Sequence, residues 1–135
     1  MRKMIFFLLA ALMLSGCTYH DTAFPPTHSR VVLQIDVDYH FGALSHSRSY
    51  RDNEKMREVL TYLRSLQPHG IPEENPEQAY GSWFLITLTY SDGSHKTYLQ
   101  KANRYLLEDG GVWKKIDPKK GALLGDILAQ TPSDS

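Results

Sequence analysis

The sequence predicts an α+β fold: an antiparallel sheet of four to six strands with two helices packed on one face, in the order β(β)-α-β-β-β(β)-α. Three observations carry this. Two segments, 30–41 and 82–90, alternate apolar and polar residues with period two. One segment, 52–66, repeats apolar residues at helical spacing behind a capping residue. Short Asp-Gly turns separate the strand-like segments in the second half of the chain.

The first sixteen of the 135 residues stand outside that fold. Arg2 and Lys3 form a positive start, and Ile5 to Leu14 is unbroken apolar sequence. The run is shorter than the roughly 20 residues a membrane span needs, and suits the apolar region of a secretory signal. Leu14, Ser15 and Gly16 then precede Cys17, the single cysteine of the chain. Small residues before a cysteine form a lipobox: the peptide bond is cut there, and the thiol, a soft nucleophile, takes a diacylglyceryl group. Residues 1–16 are therefore expected to be a lipoprotein signal peptide, with Cys17 the lipidated first residue of the mature chain. Acyl chains contribute about 0.8 kcal/mol per buried methylene, so two or three chains hold a protein firmly at a membrane. Residues 17–29, with Pro25 and Pro26, read as a tether carrying His20 and His28.

The expected domain covers 30–130. Val31, Leu33, Ile35, Val37 and Tyr39 define the apolar side of the first strand, and Val32, Gln34, Asp36, Asp38 and His40 its other, mostly polar side. After Gly42, residues 46–51 are read as a returning strand. Asp52 caps a helix whose apolar face holds Met56, Val59, Leu60, Leu63 and Leu66, ended by Pro68 and Gly70. Residues 68–81 hold three prolines and three carboxylates, and are expected to form a loop long enough to be a contact surface. Residues 82–90 make the clearest strand, closed by Asp92-Gly93. Read as a two-residue type I′ turn, that dipeptide sets Leu88 opposite Thr97 and Ile86 opposite Leu99. Leu99 then falls on the core face, and Trp83, Thr87 and Tyr98 on the outer face. Residues 105–108 and 112–116 form the last hairpin around Asp109-Gly110-Gly111. Asp117-Pro118 starts a closing helix with Leu123, Leu124, Ile127 and Leu128 on its apolar face. Residues 131–135 are expected to be a flexible tail.

Composition narrows the function classes. Removing residues 1–16 takes away Arg2 and Lys3, leaving 13 basic against 15 acidic residues, a net charge of −2. That balance does not steer a domain toward nucleic acid. With one cysteine, no disulfide forms within the chain. No G-x-S-x-G, H-E-x-x-H, EF-hand or C-x-x-C pattern occurs. Ser91, Ser94 and His95 sit at an exposed turn without an orienting base. Glu73, Glu74 and Glu77 lack apolar neighbours in sequence that would raise a carboxylate pKa. Asp36, Asp38 and His40 alternate on one strand face, at steps of about 7 Å, too wide for one ion unless the strand bends or His46 joins them.

The segments ITLTYSDGSHKTY and RYLLEDGGVWKKIDP, together with the lipobox leader, resemble small Gram-positive bacterial lipoproteins without assigned activity. The resemblance runs from about Arg30 onward and implies a compact α+β domain outside the membrane. It brings no catalytic residues with it.

The functional expectation is a membrane-anchored, extracytoplasmic, non-enzymatic binding domain. It needs no cofactor, and Trp83, Thr87 and Tyr98 contact an envelope protein, peptide or glycan. The alternatives are a metal protein or enzyme using Asp36, Asp38, His40 and His46, and a structural envelope protein.

Overall fold

The computed structural model describes residues 30–134. The signal peptide, Cys17 and the tether lie outside the described residues. From Val32 onward the chain forms one compact unit. Its elements are β1 (Val32–Phe41), β2 (Leu44–Tyr50), α1 (Asn53–Ser65), a single 3-10 turn (Pro76–Gln78), β3 (Trp83–Tyr90), β4 (His95–Lys101), β5 (Tyr105–Glu108), β6 (Trp113–Lys115), α2 (Pro118–Gly121) and α3 (Leu123–Gln130). The six strands form one antiparallel sheet in the order β2-β1-β3-β4-β5-β6. Both strands left optional by the sequence are present.

One sheet face packs on the helices. Ile35, Val37, Tyr39, Phe84, Ile86, Leu88 and Leu106 from the sheet meet Met56, Val59, Tyr62 and Leu66 from the α1 region and Leu124 and Leu128 from α3. Helix α1 starts as its sequence dictates: the Asp52 carboxylate accepts from Lys55 N at 3.1 Å, satisfying one amide that has no partner inside the helix. The closing helix is broken at Ala122 into α2 and α3. Asp117 caps α2 by accepting from Lys119 N at 3.0 Å.

One buried polar group sits in this apolar layer. Gln100 is fully buried. Its side-chain oxygen accepts from the Tyr62 hydroxyl. Its amide donates to Gly121 O at 3.0 Å and to Asn103 Oδ1 at 3.3 Å. Helix α1, strand β4, the β4–β5 turn and α2 thus meet at one side chain whose hydrogen-bonding capacity is used.

Four expectations are corrected. First, the β3–β4 connection is a three-residue loop, Ser91-Asp92-Gly93. Tyr90 N donates to Ser94 O at 2.9 Å and Gly93 N to Tyr90 O at 3.0 Å. Gly93 alone in that loop has positive φ, at 85°, whereas a type I′ turn needs two such residues. The pairing therefore shifts by one: Ile86 faces Tyr98 and Leu85 faces Leu99. Tyr98 joins the core side and Leu99 the opposite side, the reverse of the sequence expectation. Second, a bulge between Val32 and Gln34 breaks the phase of β1. Val32 packs on the core, while Val31 and Leu33 are 62% and 52% exposed. Third, His46 lies on the helix side of β2, opposite Tyr39 and stacked on its ring at 5.1 Å. It cannot join Asp36, Asp38 and His40.

Fourth, the segment after α3 is docked. Asp134 N donates to Ser49 O at 3.1 Å, and Ser49 N donates to Ser133 Oγ at 3.0 Å. The Asp134 carboxylate accepts from Arg51 N and from Asp52 N, the latter at 2.9 Å, and pairs with Lys55 Nζ at 3.1 Å. Those backbone bonds, followed by Lys55, hold its carboxyl below the ordinary value of 3.8.

Candidate functional site

The sheet face away from the helices is ordered in rows by strand register. The row nearest the β3–β4 turn is polar: Thr89 Oγ1 and His95 Nδ1 lie 3.1 Å apart, and Gln34 Oε1 accepts from Arg51 Nε at 2.9 Å. The next row runs Ser49, Asp36, Thr87, Thr97. The Asp36 carboxylate accepts from Ser49 Oγ at 2.7 Å and from Gln34 Nε2 at 3.0 Å. Thr97 Oγ1 donates to Asp109 Oδ1 at 3.3 Å.

The third row changes character. Ser47 and Asp38, joined at 3.0 Å, are followed by Leu85, Leu99, Leu107 and Trp113, aligned across β3, β4, β5 and β6. These four apolar side chains are half-buried. In the fourth row, His40 stacks on Trp83 with ring centroids 4.2 Å apart, and Lys101, Tyr105 and Lys115 follow. The 68–81 loop reaches this row: Lys101 Nζ donates to Glu77 O, the Tyr105 hydroxyl donates to Glu74, and His69 forms an antiparallel bridge with Lys115. Tyr105 is buried, and its contact with the Glu74 carboxylate raises its pKa. The acidic loop is thus a partial cover for the aromatic row, and Tyr80 within it is 97% exposed.

Of the expected contact residues, Trp83 and Thr87 lie on this face. Tyr98 does not: it packs toward the core beside Lys96, whose ammonium sits 5.2 Å from the ring centroid. Leu85, Leu99 and Leu107 were not singled out by the sequence reading. Their signal was the alternation of β3 continued through the correct register, which a one-residue error in the turn conceals.

The candidate metal ligands Asp36, Asp38 and His40 share this face, but each is engaged separately, with serines or with Trp83. Among the described residues no group of three or more His, Cys, Asp or Glu side chains is gathered to hold an ion. An open cleft of about 460 Å³ lies between the loop and β6, lined by residues that include His69, Glu73, Arg104, Tyr105, Lys115 and Asp117. Its charges are mixed, with Arg104 3.5 Å from Glu74.

Comparison with known families adds location. The pattern of the prokaryotic membrane lipoprotein lipid attachment site matches residues 1–18, which include Leu14, Ser15, Gly16 and Cys17. The protein is a membrane-anchored lipoprotein. No curated protein and no solved structure matches the chain significantly. Among the described residues no helix is long and apolar enough to cross a membrane.

Proposed function

We propose that this lipoprotein is a non-enzymatic binding module facing outside the cytoplasm, fastened through a diacylglyceryl group on Cys17. Its contact surface is the helix-free sheet face, and its partner is a protein or peptide of the cell envelope. The observation that supports this reading is the row Leu85-Leu99-Leu107-Trp113. A sheet face left to water normally alternates polar residues outward. Here four strands each turn an apolar side chain to the helix-free side, beside the half-buried Trp83. An apolar row with Asp38 at its β1 end and Lys101 and Lys115 in the row beside it suits a protein surface with an apolar centre and polar rim. The kinship with Gram-positive lipoproteins belongs to the same proposal.

A photo-crosslinking residue placed at Thr87 or Thr97 in the anchored protein tests the surface without disturbing the apolar row. The expected result is one discrete adduct in intact cells, absent when the probe sits at Glu58 on α1, and lost in Leu99→Ser. Adducts that are equal from both faces, or none from Thr87 and Thr97, would overturn the assignment.

A further inference from the structure

Hairpin tips are normally polar, since turn residues face water. The β1–β2 tip reads Phe41-Gly42-Ala43-Leu44, and all four residues are exposed, Phe41 by 43% and Leu44 by 65%. Four consecutive exposed apolar residues oppose solubility unless something covers them. Phe41 and Leu44 are register partners, so they share the helix side of the sheet. The patch extends to the start of α3. A Cβ placed on Gly125 would lie 3.7 Å from the Phe41 ring. The base of the tip is rigid: Phe41 packs edge-on against Phe84 and Tyr39, with centroids 5.6 and 5.5 Å away. The exposed part therefore stands on the core as a fixed protrusion.

The lipid attachment site identifies the surface within reach. With Cys17 in the membrane, residues 17–31 extend at most about 50 Å, and the ten-residue β1 is about 33 Å long. The tip at the far end of β1 can therefore return to the same bilayer that holds the lipid. Tethering makes that second contact intramolecular, which strengthens an insertion that the tip also makes by itself.

We infer that the Phe41–Leu44 tip inserts into the interfacial region of the bilayer as a second membrane contact. Apolar side chains enter the boundary between headgroups and acyl chains, where lost water contact favours burial. The domain then lies down on the membrane instead of swinging from its tether, and the orientation of the helix-free face is set.

The test uses the full mature chain from Cys17 with Cys17→Ser, which removes the acyl contribution, and vesicles of phosphatidylethanolamine and phosphatidylglycerol. Sedimentation should show measurable partitioning, lowered about tenfold or more by Phe41→Ser with Leu44→Ser. A Phe41→Trp probe should shift its emission to the blue on vesicle addition, beyond any change from Trp83 and Trp113 in the parent. Should the double variant melt lower, Leu44→Ser alone decides, because that side chain is largely outside the core. Partitioning that is absent, or unchanged in Leu44→Ser, overturns the inference. So does concentration-dependent self-association that the same substitutions abolish, which would mean that a second copy covers the tip. Crosslinking from Thr87 and Thr97 reads the sheet face separately, so either proposal can fail alone.

Discussion

Gly121 shows how one residue constrains several elements. A Cβ there would lie 2.1 Å from Asn103 O, a distance no side-chain carbon tolerates. Its carbonyl receives Gln100, so the segment cannot move away without breaking that bond. Gly121→Ala is expected to cost about 3 kcal/mol, the upper range for overpacking, as a lowered urea midpoint. Gln100→Leu should cost less, about 1–2 kcal/mol: it removes the Gln100 bonds to the Tyr62 hydroxyl and the Gly121 carbonyl, which keep only their mutual contact at 3.4 Å. Ala102 offers the opposite sign. It occupies the left-handed region with φ 55°, followed by Asn103 at 56°, where a Cβ is unfavourable. Ala102→Gly should raise stability by up to about 1 kcal/mol, read in the same titration. In sequence, Gly121 is only a poor helix former. Its value lies in close approach to a turn eighteen residues earlier, which no local pattern reports.

At the scale of elements, legibility followed the physics of each segment. The helix-side residues Ile35, Val37 and Tyr39 were readable because period-two alternation survives wherever one face is buried. Helix α1 was readable from its cap and apolar spacing. The β3–β4 register was not. Ser-Asp-Gly serves a two-residue or a three-residue loop, and the difference lies in whether Asp92 or Ser91 completes the turn. One residue exchanges the faces of Tyr98 and Leu99, and with them one of the three expected contact residues. The docking of 131–134 was also invisible, because it runs through backbone groups and one carboxylate instead of an apolar pattern. Titration can test it. Asp134 has its pKa lowered in the folded state, so its contribution is present above the unfolded value near 3.8 and fades as pH falls through the folded pKa. Asp134→Asn should therefore lower the melting temperature at neutral pH and flatten its decline in acid. Tyr50 acts at the other end of the scale. Burial pushes its hydroxyl up to about 12, while that group donates to Thr131 O at 2.5 Å. A raised tyrosine pKa stabilises below pH 10, and that contribution is lost as pH climbs toward 12. Tyr50→Phe should reduce the steepness of alkaline unfolding, followed by circular dichroism.

Over the whole molecule, the surfaces proposed to bear function are the helix-free face and the β1–β2 tip, which share no side chain. The helix face is committed to the core, and the opposite face carries the apolar row. Residues 30–134 contain no cysteine, so cohesion comes from the packed layer alone. The melting temperature of the soluble chain should be the same with and without a thiol reductant; a change would point to linkage between copies through Cys17. The sheet ends in two outer strands, and each is met by a piece of irregular chain: Ser49 of β2 by Ser133 and Asp134, and Lys115 of β6 by His69. An outer strand with free amides and carbonyls recruits strands from other molecules. Fastening proteins to a lipid sheet confines them to two dimensions, where collisions between neighbours are frequent and repeated. These two blocked rungs act against lateral stacking of copies into fibres, so a protein crowded on its membrane keeps its broad face clear, as the proposed binding role requires.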